Sequence, residues 1–207
     1  MAVSSGFFDG DAEYGQAELN RYFENLFENG VALDSSGSLV LGCSVSGTTV
    51  TIAKGFAIIN GFFLYSDSNA TKAITRDTNY TRIDRIVVRL DLSAKTVTIE
   101  HKQGAAGSSP TAPALTRSST VYELSLCQIK VPVSGNLTIT DERAKADLCG
   151  TIRPRNMTEL NNMMQGFEDE WEAWFDEQQA TGWRNIYIQS AEPTGMVSGS
   201  IWIQEQA

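Results

Sequence analysis

Carboxylates are the side chains of this sequence that could do chemistry in quantity, because the other reactive types are scarce. The 207 residues include 25 Asp and Glu but only one histidine, His101. Two carboxylates held close together can act as general acid and general base, and Asp84 with Asp91, or Asp141 with Asp147, are possible pairs. Nothing in the spacing predicts a raised pKa for either pair. The arginine that follows Asp84 instead favours a cross-strand ion pair.

The sequence contains no pattern typical of a metal or cofactor site. A single histidine cannot form a His-based metal cluster or a triad of histidines, and His101 lies on an alternating strand, so we interpret it as a surface or cross-strand residue. Asp67, Asn69 and Asp77 could bind a cation, but their spacing does not match an EF-hand loop and turn polarity explains them. The sequence has no phosphate-binding loop and no G-x-S-x-G or H-E-x-x-H motif. We therefore expect no enzyme activity, no metal and no cofactor.

The three cysteines, Cys43, Cys127 and Cys149, form no C-x-x-C pair. An odd number without a secretory leader favours reduced, buried, structural thiols. The first residues lack the basic and apolar regions of a signal peptide, and no apolar run is long enough to span a bilayer. We expect synthesis in a cytoplasm.

The charge of the chain argues against several partners. The net charge is −9, whereas nucleic acids and anionic membranes need clustered Lys and Arg. Residues 156–182 carry seven acidic side chains and no Lys or Arg, so most of the excess lies in one segment. We expect no nucleic acid and no membrane partner.

Residues 31–150 are predicted to form an antiparallel β-sandwich or barrel-like domain, because hydrophobic residues alternate with period two between short turns. Asn60-Gly61 predicts one hairpin, and residues 82–92 with 95–102 predict another. Residues 103–117 form a Gly-, Ala-, Ser- and Pro-rich loop of a kind that is usually exposed and often functional.

Residues 1–30 are predicted to be an attachment segment with one helix, which Asp11 caps and which ends near Gly30. The spacing of its apolar residues describes one helical face. This helix either covers an edge of the following sheet or packs on a neighbouring subunit. The docking candidates are Phe7, Phe8, Tyr22, Phe23, Leu26 and Phe27.

Residues 151–182 are predicted to be an extended linker, stiffened by Pro154, followed by a long amphipathic helix. Two tryptophans and two phenylalanines give that helix a large apolar load. It either packs on its own β domain or forms an intersubunit or partner contact, and residues 183–207 follow as a small β-hairpin. The interface candidates are Leu160, Met163, Met164, Phe167, Trp171, Trp174 and Phe175.

Several stretches together resemble tail-fibre and baseplate structural proteins encoded by phages and prophages of Gram-positive bacteria. The resemblance covers about three quarters of the chain and depends on hydrophobic alternation and turns. The stretches are residues 6–31, 55–67, 81–104, 121–152 and the ending EPTGMVSGSIWIQ at 192–204.

The resemblance implies a virion component at the tail tip or baseplate, made in the bacterial host cytoplasm and most often trimeric. Its N-terminal region would attach to other tail or baseplate proteins. Such proteins often continue into a receptor-binding tip, whereas this chain stops after a small hairpin, which favours an adaptor or scaffold role. The alternative is a carbohydrate-binding module for host-surface glycans, with Phe62, Phe63, Tyr65 and the 103–117 loop as contacts.

Overall fold

The computed structural model describes residues 15–155, 157–181, 186–196 and 198–205. The chain divides into two compact units, Met1–Arg155 and Asn156–Ala207. As the alternation predicts, the described residues are mainly β with one helix near each end. The elements are α1 (Gln16–Leu26), β1 (Gly30–Val31), β2 (Cys43–Ser46), β3 (Thr49–Ile52), β4 (Gly55–Ile59), β5 (Phe62–Ser66), β6 (Ala70–Ala73), β7 (Arg82–Asp91), β8 (Thr96–Lys102), β9 (Val121–Val131), β10 (Thr138–Asp141), α2 (Thr158–Thr181), β11 (Ile186–Gln189) and β12 (Ile201–Gln204).

Three antiparallel sheets surround one hydrophobic core in the first unit. Their strand orders are β1-β4-β5, β2-β3-β6 and β10-β9-β7-β8. The core contains Ile52, Ile59, Ile86, Leu124 and Ile129, all at most 1% exposed. The predicted antiparallel β architecture is confirmed, and the described strands form no closed barrel.

The two hairpins predicted within residues 31–150 are present. Asn60 and Gly61 connect β4 to β5 with φ values of 48° and 77°, the two positive angles that a type I′ turn requires. Strands β7 and β8 pair from Asp91↔Thr96 to Arg85↔Lys102. The pairing of β7 with β9 shifts register between Ile86 and Val87, as at a β-bulge, which leaves one extra residue on β9.

Helix α1 is shorter than predicted. The predicted cap, Asp11, lies outside the described residues, and so do Phe7 and Phe8. Gly15 is the N-cap, where its amide donates to Glu18 Oε2 at 3.0 Å. The helix ends at Leu26, not near Gly30, because Phe27 is extended and forms a β-bridge with Pro154.

The segment predicted as a linker after residue 150 belongs to the first unit as far as Arg155. The amide of Ile152 donates to the carbonyl of Val31 at 3.0 Å, and that of Arg155 donates to the carbonyl of Leu26 at 2.7 Å. Through these bonds the chain returns to the end of α1 and to β1.

The second unit contains α2 and the pair β11–β12. The prediction of a terminal hairpin is wrong, since β11 and β12 pair in parallel, from Ile186↔Ile201 to Gln189↔Gln204. A parallel pair needs a longer connection than a hairpin turn. Residues 190–200 provide it, with positive φ at Gly195 and Gly199.

Candidate functional site

The Asp84 carboxylate on β7 is fully buried and hydrogen-bonded on both oxygens. Oδ1 accepts from Arg82 Nε at 2.9 Å and from the Gly104 amide at 3.0 Å, and Oδ2 accepts from His101 Nε2 at 2.8 Å. Burial raises the pKa of Asp84, but the hydrogen bonds from His101, Arg82 and Gly104 outweigh it, so the pKa lies below its ordinary value. This environment holds a stable anion, not a general acid.

Glu123 on β9 forms a second buried cluster, only 1% exposed. Its carboxylate accepts from Arg89 Nη1 at 2.7 Å, Lys102 Nζ at 2.6 Å and the Thr116 amide at 2.6 Å. Burial raises the pKa of Glu123, but the hydrogen bonds from Lys102, Thr116 and Arg89 lower it by more. The pKa therefore lies below its ordinary value. The carboxylate is again a fixed anion.

Glu142, which follows β10, forms a third cluster at 1% exposure. Oε2 accepts from Arg85 Nη1 at 2.6 Å and from Ser125 Oγ at 2.7 Å, while Oε1 accepts from Gln128 Nε2 at 2.6 Å. These bonds join the turn after β10 to β7 and β9. The three clusters are structural ties between strands.

The other predicted carboxylates also have local partners. Asp91 accepts from the amides of Ser93 and Ala94 and so caps the β7–β8 turn. Asp141 pairs with Arg143, at 2.6 Å, while Asp147 is exposed. Neither predicted carboxylate pair therefore has the shared environment that acid–base catalysis needs.

The turn residues proposed for a cation are engaged or exposed. Asn69 Oδ1 accepts from the Lys54 amide at 3.1 Å, and Asp77 Oδ1 accepts from the amides of Asn79 and Tyr80. Asp67 is exposed. Bonds of this kind to nearby amides are what turns require of Asn and Asp.

The three cysteines are free thiols, and Cys127 and Cys149 are buried. A hydrogen bond with Cys43 and then burial raise the pKa of Cys127, and burial raises the pKa of Cys149 to about 12. Thiols with raised pKa values stay protonated and are poor nucleophiles. For Cys127 and Cys149 this agrees with the buried, structural role expected of the cysteines, whereas Cys43 is only half-buried.

Residues 103–117 lie over the charged face of the β10-β9-β7-β8 sheet and are anchored at both ends. The Gly104 amide binds Asp84, and the Thr116 amide binds Glu123. A Cβ at Gly104 would lie 2.0 Å from the carbonyl oxygen of Ile83, so only glycine permits this approach. Between the anchors the loop has no helix or strand, and Ser108 and Ser109 are exposed.

The apolar stripe of α2 is exposed along its whole length. The exposed fractions run from 42% for Leu160 to 63% for Phe167 and Trp171. The rings of Trp171 and Trp174 contact each other with centroids 5.1 Å apart. The predicted interface residues, which all lie on this exposed stripe, are Leu160, Met163, Met164, Phe167, Trp171, Trp174 and Phe175.

Helix α1 contributes a second exposed apolar surface. It has no buried residue, and Tyr22, Phe23 and Leu26 are 48%, 42% and 40% exposed, whereas Phe27 is half-buried. It packs against β5 in the first unit. The helix is therefore a partial cover that leaves aromatic groups accessible.

An open apolar cavity of about 600 Å³ lies between α1 and the outer face of the β1-β4-β5 sheet. Sequence reasoning selected Phe23 and Phe27 in it but missed the partners contributed by β4 and by the segments that flank the sheet. The cavity residues of β4 alternate with its core residues. A period of two assigns residues to two faces of a strand, but it does not show that both faces are apolar. The cavity is lined by Phe23, Phe27, Ala32, Leu33, Phe56, Ile58, Gly61, Phe62, Phe63 and Ile152.

Gly61 sets the distance between α1 and the sheet. A Cβ at this position would lie 2.2 Å from the carbonyl oxygen of Asn20 on α1. We expect Gly61→Ala to push α1 off β5 and to accelerate hydrogen exchange of the α1 amides, while the β7 and β9 amides stay protected.

Gly135→Ala is the matched control, because Gly135 has a similar positive φ of 86° with nothing within 4 Å of its Cβ position. Both substitutions place alanine in the left-handed region, at about 1–3 kcal/mol each. Equal exchange of the α1 amides in the two variants would contradict the close contact with α1.

Within the part of the chain that the structure describes, no helix is long and apolar enough to cross a membrane. No three His, Cys, Asp or Glu side chains of those residues are grouped so that they could hold a metal ion. Among the described residues, exposed apolar surfaces on α1, β5 and α2 are the features from which function is best inferred. No protein family, curated protein or solved structure matches this chain.

Proposed function

We propose that this chain is a non-enzymatic structural protein of a phage tail tip or baseplate, where it is an adaptor or scaffold for fibres or receptor-binding proteins. The observation that carries the assembly role is the exposed apolar stripe of α2, from Leu160 to Phe175, with every side chain at least 42% exposed. Exposed apolar patches of this extent mark interaction sites. The phage context is supported by the resemblance of the sequence stretches.

The β domain fits a scaffold because its buried ionisable groups stabilise it. Asp84, Glu123 and Glu142 each bind at least one cationic side chain. The apolar cavity beside α1 is suited to attachment to another tail or baseplate protein. In this proposal α2 joins identical subunits, in a trimer by the resemblance, and the α1 surface joins the assembly.

The mass of the protein in solution tests the self-association. We expect the wild-type chain to be an oligomer and Trp171→Ala with Trp174→Ala to be a monomer of 22.6 kDa, because two central aromatic anchors are lost, each worth about 2 kcal/mol or more. Sedimentation equilibrium measures both. Asp169→Ala with Glu172→Ala, on the same helix but outside the stripe, should leave the oligomer intact. A monodisperse wild-type monomer would overturn this role.

The virion context is tested by labelling. An antibody against the chain should bind the tail tip of particles released from cells that carry the gene. Particles that lack the protein would overturn the phage assignment, whatever the oligomeric state.

A second candidate function, a carbohydrate-binding module for cell-surface glycans, is favoured by one observation. Phe63 and Tyr65 are 65% and 70% exposed on the outer side of β5, and Phe63 is held by stacking on Phe56 with centroids 5.9 Å apart. Fixed, exposed rings can stack on sugars. Glycan-array binding would support this function, and its absence would dismiss it.

A further inference from the structure

Five residues of the α2 stripe form a seam of their own. Leu160, Met164, Phe167, Trp171 and Trp174 follow one another at spacings of four, three, four and three residues. A mean spacing of 3.5 residues keeps apolar side chains facing a partner helix along a left-handed coiled coil. We propose that α2 pairs with α2 of further copies of this chain as a parallel, in-register coiled coil, an inference that rests on the self-association proposed above.

The residues that flank the seam are compatible with the parallel alignment. Asn161, Met163, Glu168, Glu170, Phe175 and Glu177 occupy the flanking positions of the heptad. In a parallel, in-register coiled coil, the flanking residue just before a seam methionine or Trp171, such as Met163 or Glu170, faces the flanking residue five positions further along the neighbouring copy. Met163 then faces the neighbouring copy's Glu168, and Glu170 faces the neighbouring copy's Phe175, so no acid faces an acid.

One antiparallel alignment of the seam, which layers Met164 on Trp174 and Phe167 on Trp171, is electrostatically worse. It places Glu168 opposite Glu168 of the other copy and Glu170 opposite Glu170, and like charges across such a contact repel. Apart from Glu177, which is on a flank near the end of the helix, the remaining acids Glu159, Asp169, Glu172 and Asp176 lie outside the seam and its flanks. The charge pattern of α2 therefore disfavours this antiparallel register. The other register, which layers Leu160 on Trp171 and Met164 on Phe167, brings no acids together and is distinguished from the parallel alignment by β11 and β12.

The pair β11–β12 is an independent observation that favours parallel copies. Its strands repeat one pattern, Ile-Tyr-Ile-Gln and Ile-Trp-Ile-Gln, in register. The four isoleucines, Ile186, Ile188, Ile201 and Ile203, are 49–62% exposed. A two-stranded sheet with an apolar face is not stable alone. Parallel copies of α2 bring these faces to the same end of the assembly, where they can cover one another.

Cysteine cross-linking of the full chain tests the alignment. Leu160 lies near one end of the seam, so Leu160→Cys brings thiols of different copies together only in the parallel, in-register alignment. Asn162→Cys is the matched control, since Asn162 is also exposed but lies outside the seam and its flanks. Under mild oxidation, non-reducing gels should show about tenfold more covalent dimer for Leu160→Cys than for Asn162→Cys, because disulfides need Cβ atoms about 4 Å apart.

The background comes from the wild-type chain with its native thiols, and far-UV circular dichroism checks that each variant keeps its helix. A mixture of Met164→Cys and Trp174→Cys chains, tagged differently, reports the antiparallel register that layers these two positions. They are about 15 Å apart along a parallel seam but adjacent in that register. A disulfide-linked heterodimer of these two variants would overturn the parallel coiled coil alone. Equal amounts of covalent dimer from Leu160→Cys and Asn162→Cys, in a chain that sediments as an oligomer, would have the same consequence. A sedimenting monomer would overturn both this inference and the self-association.

Discussion

Asp84→Ala is expected to lower the free energy of unfolding by about 3–5 kcal/mol, the usual result of leaving a buried charge without its partner. Arg82, whose side chain is 2% exposed, would lose its carboxylate. The Gly104 amide, which donates to Asp84 at 3.0 Å, would lose its acceptor. Urea denaturation followed by circular dichroism measures the loss.

Glu100→Ala is the matched control for this substitution. Glu100 also pairs with an arginine, Arg89 at 3.8 Å, but its side chain is 48% exposed. We expect a change of no more than about 1 kcal/mol, as for surface ion pairs. Equal losses for Asp84→Ala and Glu100→Ala would show that burial of the Asp84 cluster has no energetic consequence.

Acidification is expected to destabilise the β domain as the pH falls through the carboxyl range. The pKa values of Asp84 and Glu123 lie below their ordinary values of 3.8 and 4.5 in the folded chain. The unfolded chain therefore binds more protons than the folded chain in this range, and stability rises with pH. The stabilisation is complete above the ordinary values and is lost as the pH falls through them toward the lower folded pKa values. Each unit of difference is worth roughly 1.4 kcal/mol.

Denaturation midpoints measured from neutral pH to pH 2 test this dependence. Asp84→Asn with Glu123→Gln should lower stability at pH 7 and flatten the slope between neutral and acid pH. Part of the slope should remain, because the pKa values of Asp34, Asp77 and Asp141 are also lowered. An unchanged slope in the double variant would refute the assignment of the dependence to the two buried carboxylates.

Much of the fold could be predicted because turns and alternation are local signals. The Asn60-Gly61 hairpin follows from two residues that accept positive φ. The bulge opposite Ile86 could not be predicted, since it depends on how β9 pairs with β7. For the same reason the parallel pairing of β11 with β12 was missed, because Pro193 and Gly195 indicate a turn but not the direction in which the chain returns.

The buried charge clusters were also beyond sequence reasoning. Arg85, Arg89 and Glu123 alternate with core residues and so have the pattern of a solvent-exposed face. Glu123 is covered because Thr116 of the 103–117 loop binds it, and Arg85 is covered because Glu142 after β10 binds it, and both are contacts between distant segments. The helix surfaces were easier to select, since the apolar spacing of α2 is visible in the sequence. That α2 and α1 bind partners stays a prediction.

Residues 103–117 are anchored to the β framework near both ends. The exposed residues of this loop can therefore differ without changing the stability of the fold. Gly104 and Thr116 bind buried carboxylates of the framework and the Gly107 amide binds the carbonyl of Thr81, while Ser108 and Ser109 are exposed between Gly107 and Thr116. Doubling the length of a flexible loop adds only about 0.6 kcal/mol of closure entropy. The exposed tip is therefore where residues could be inserted, by evolution or by engineering, to present a new epitope on an unchanged β framework.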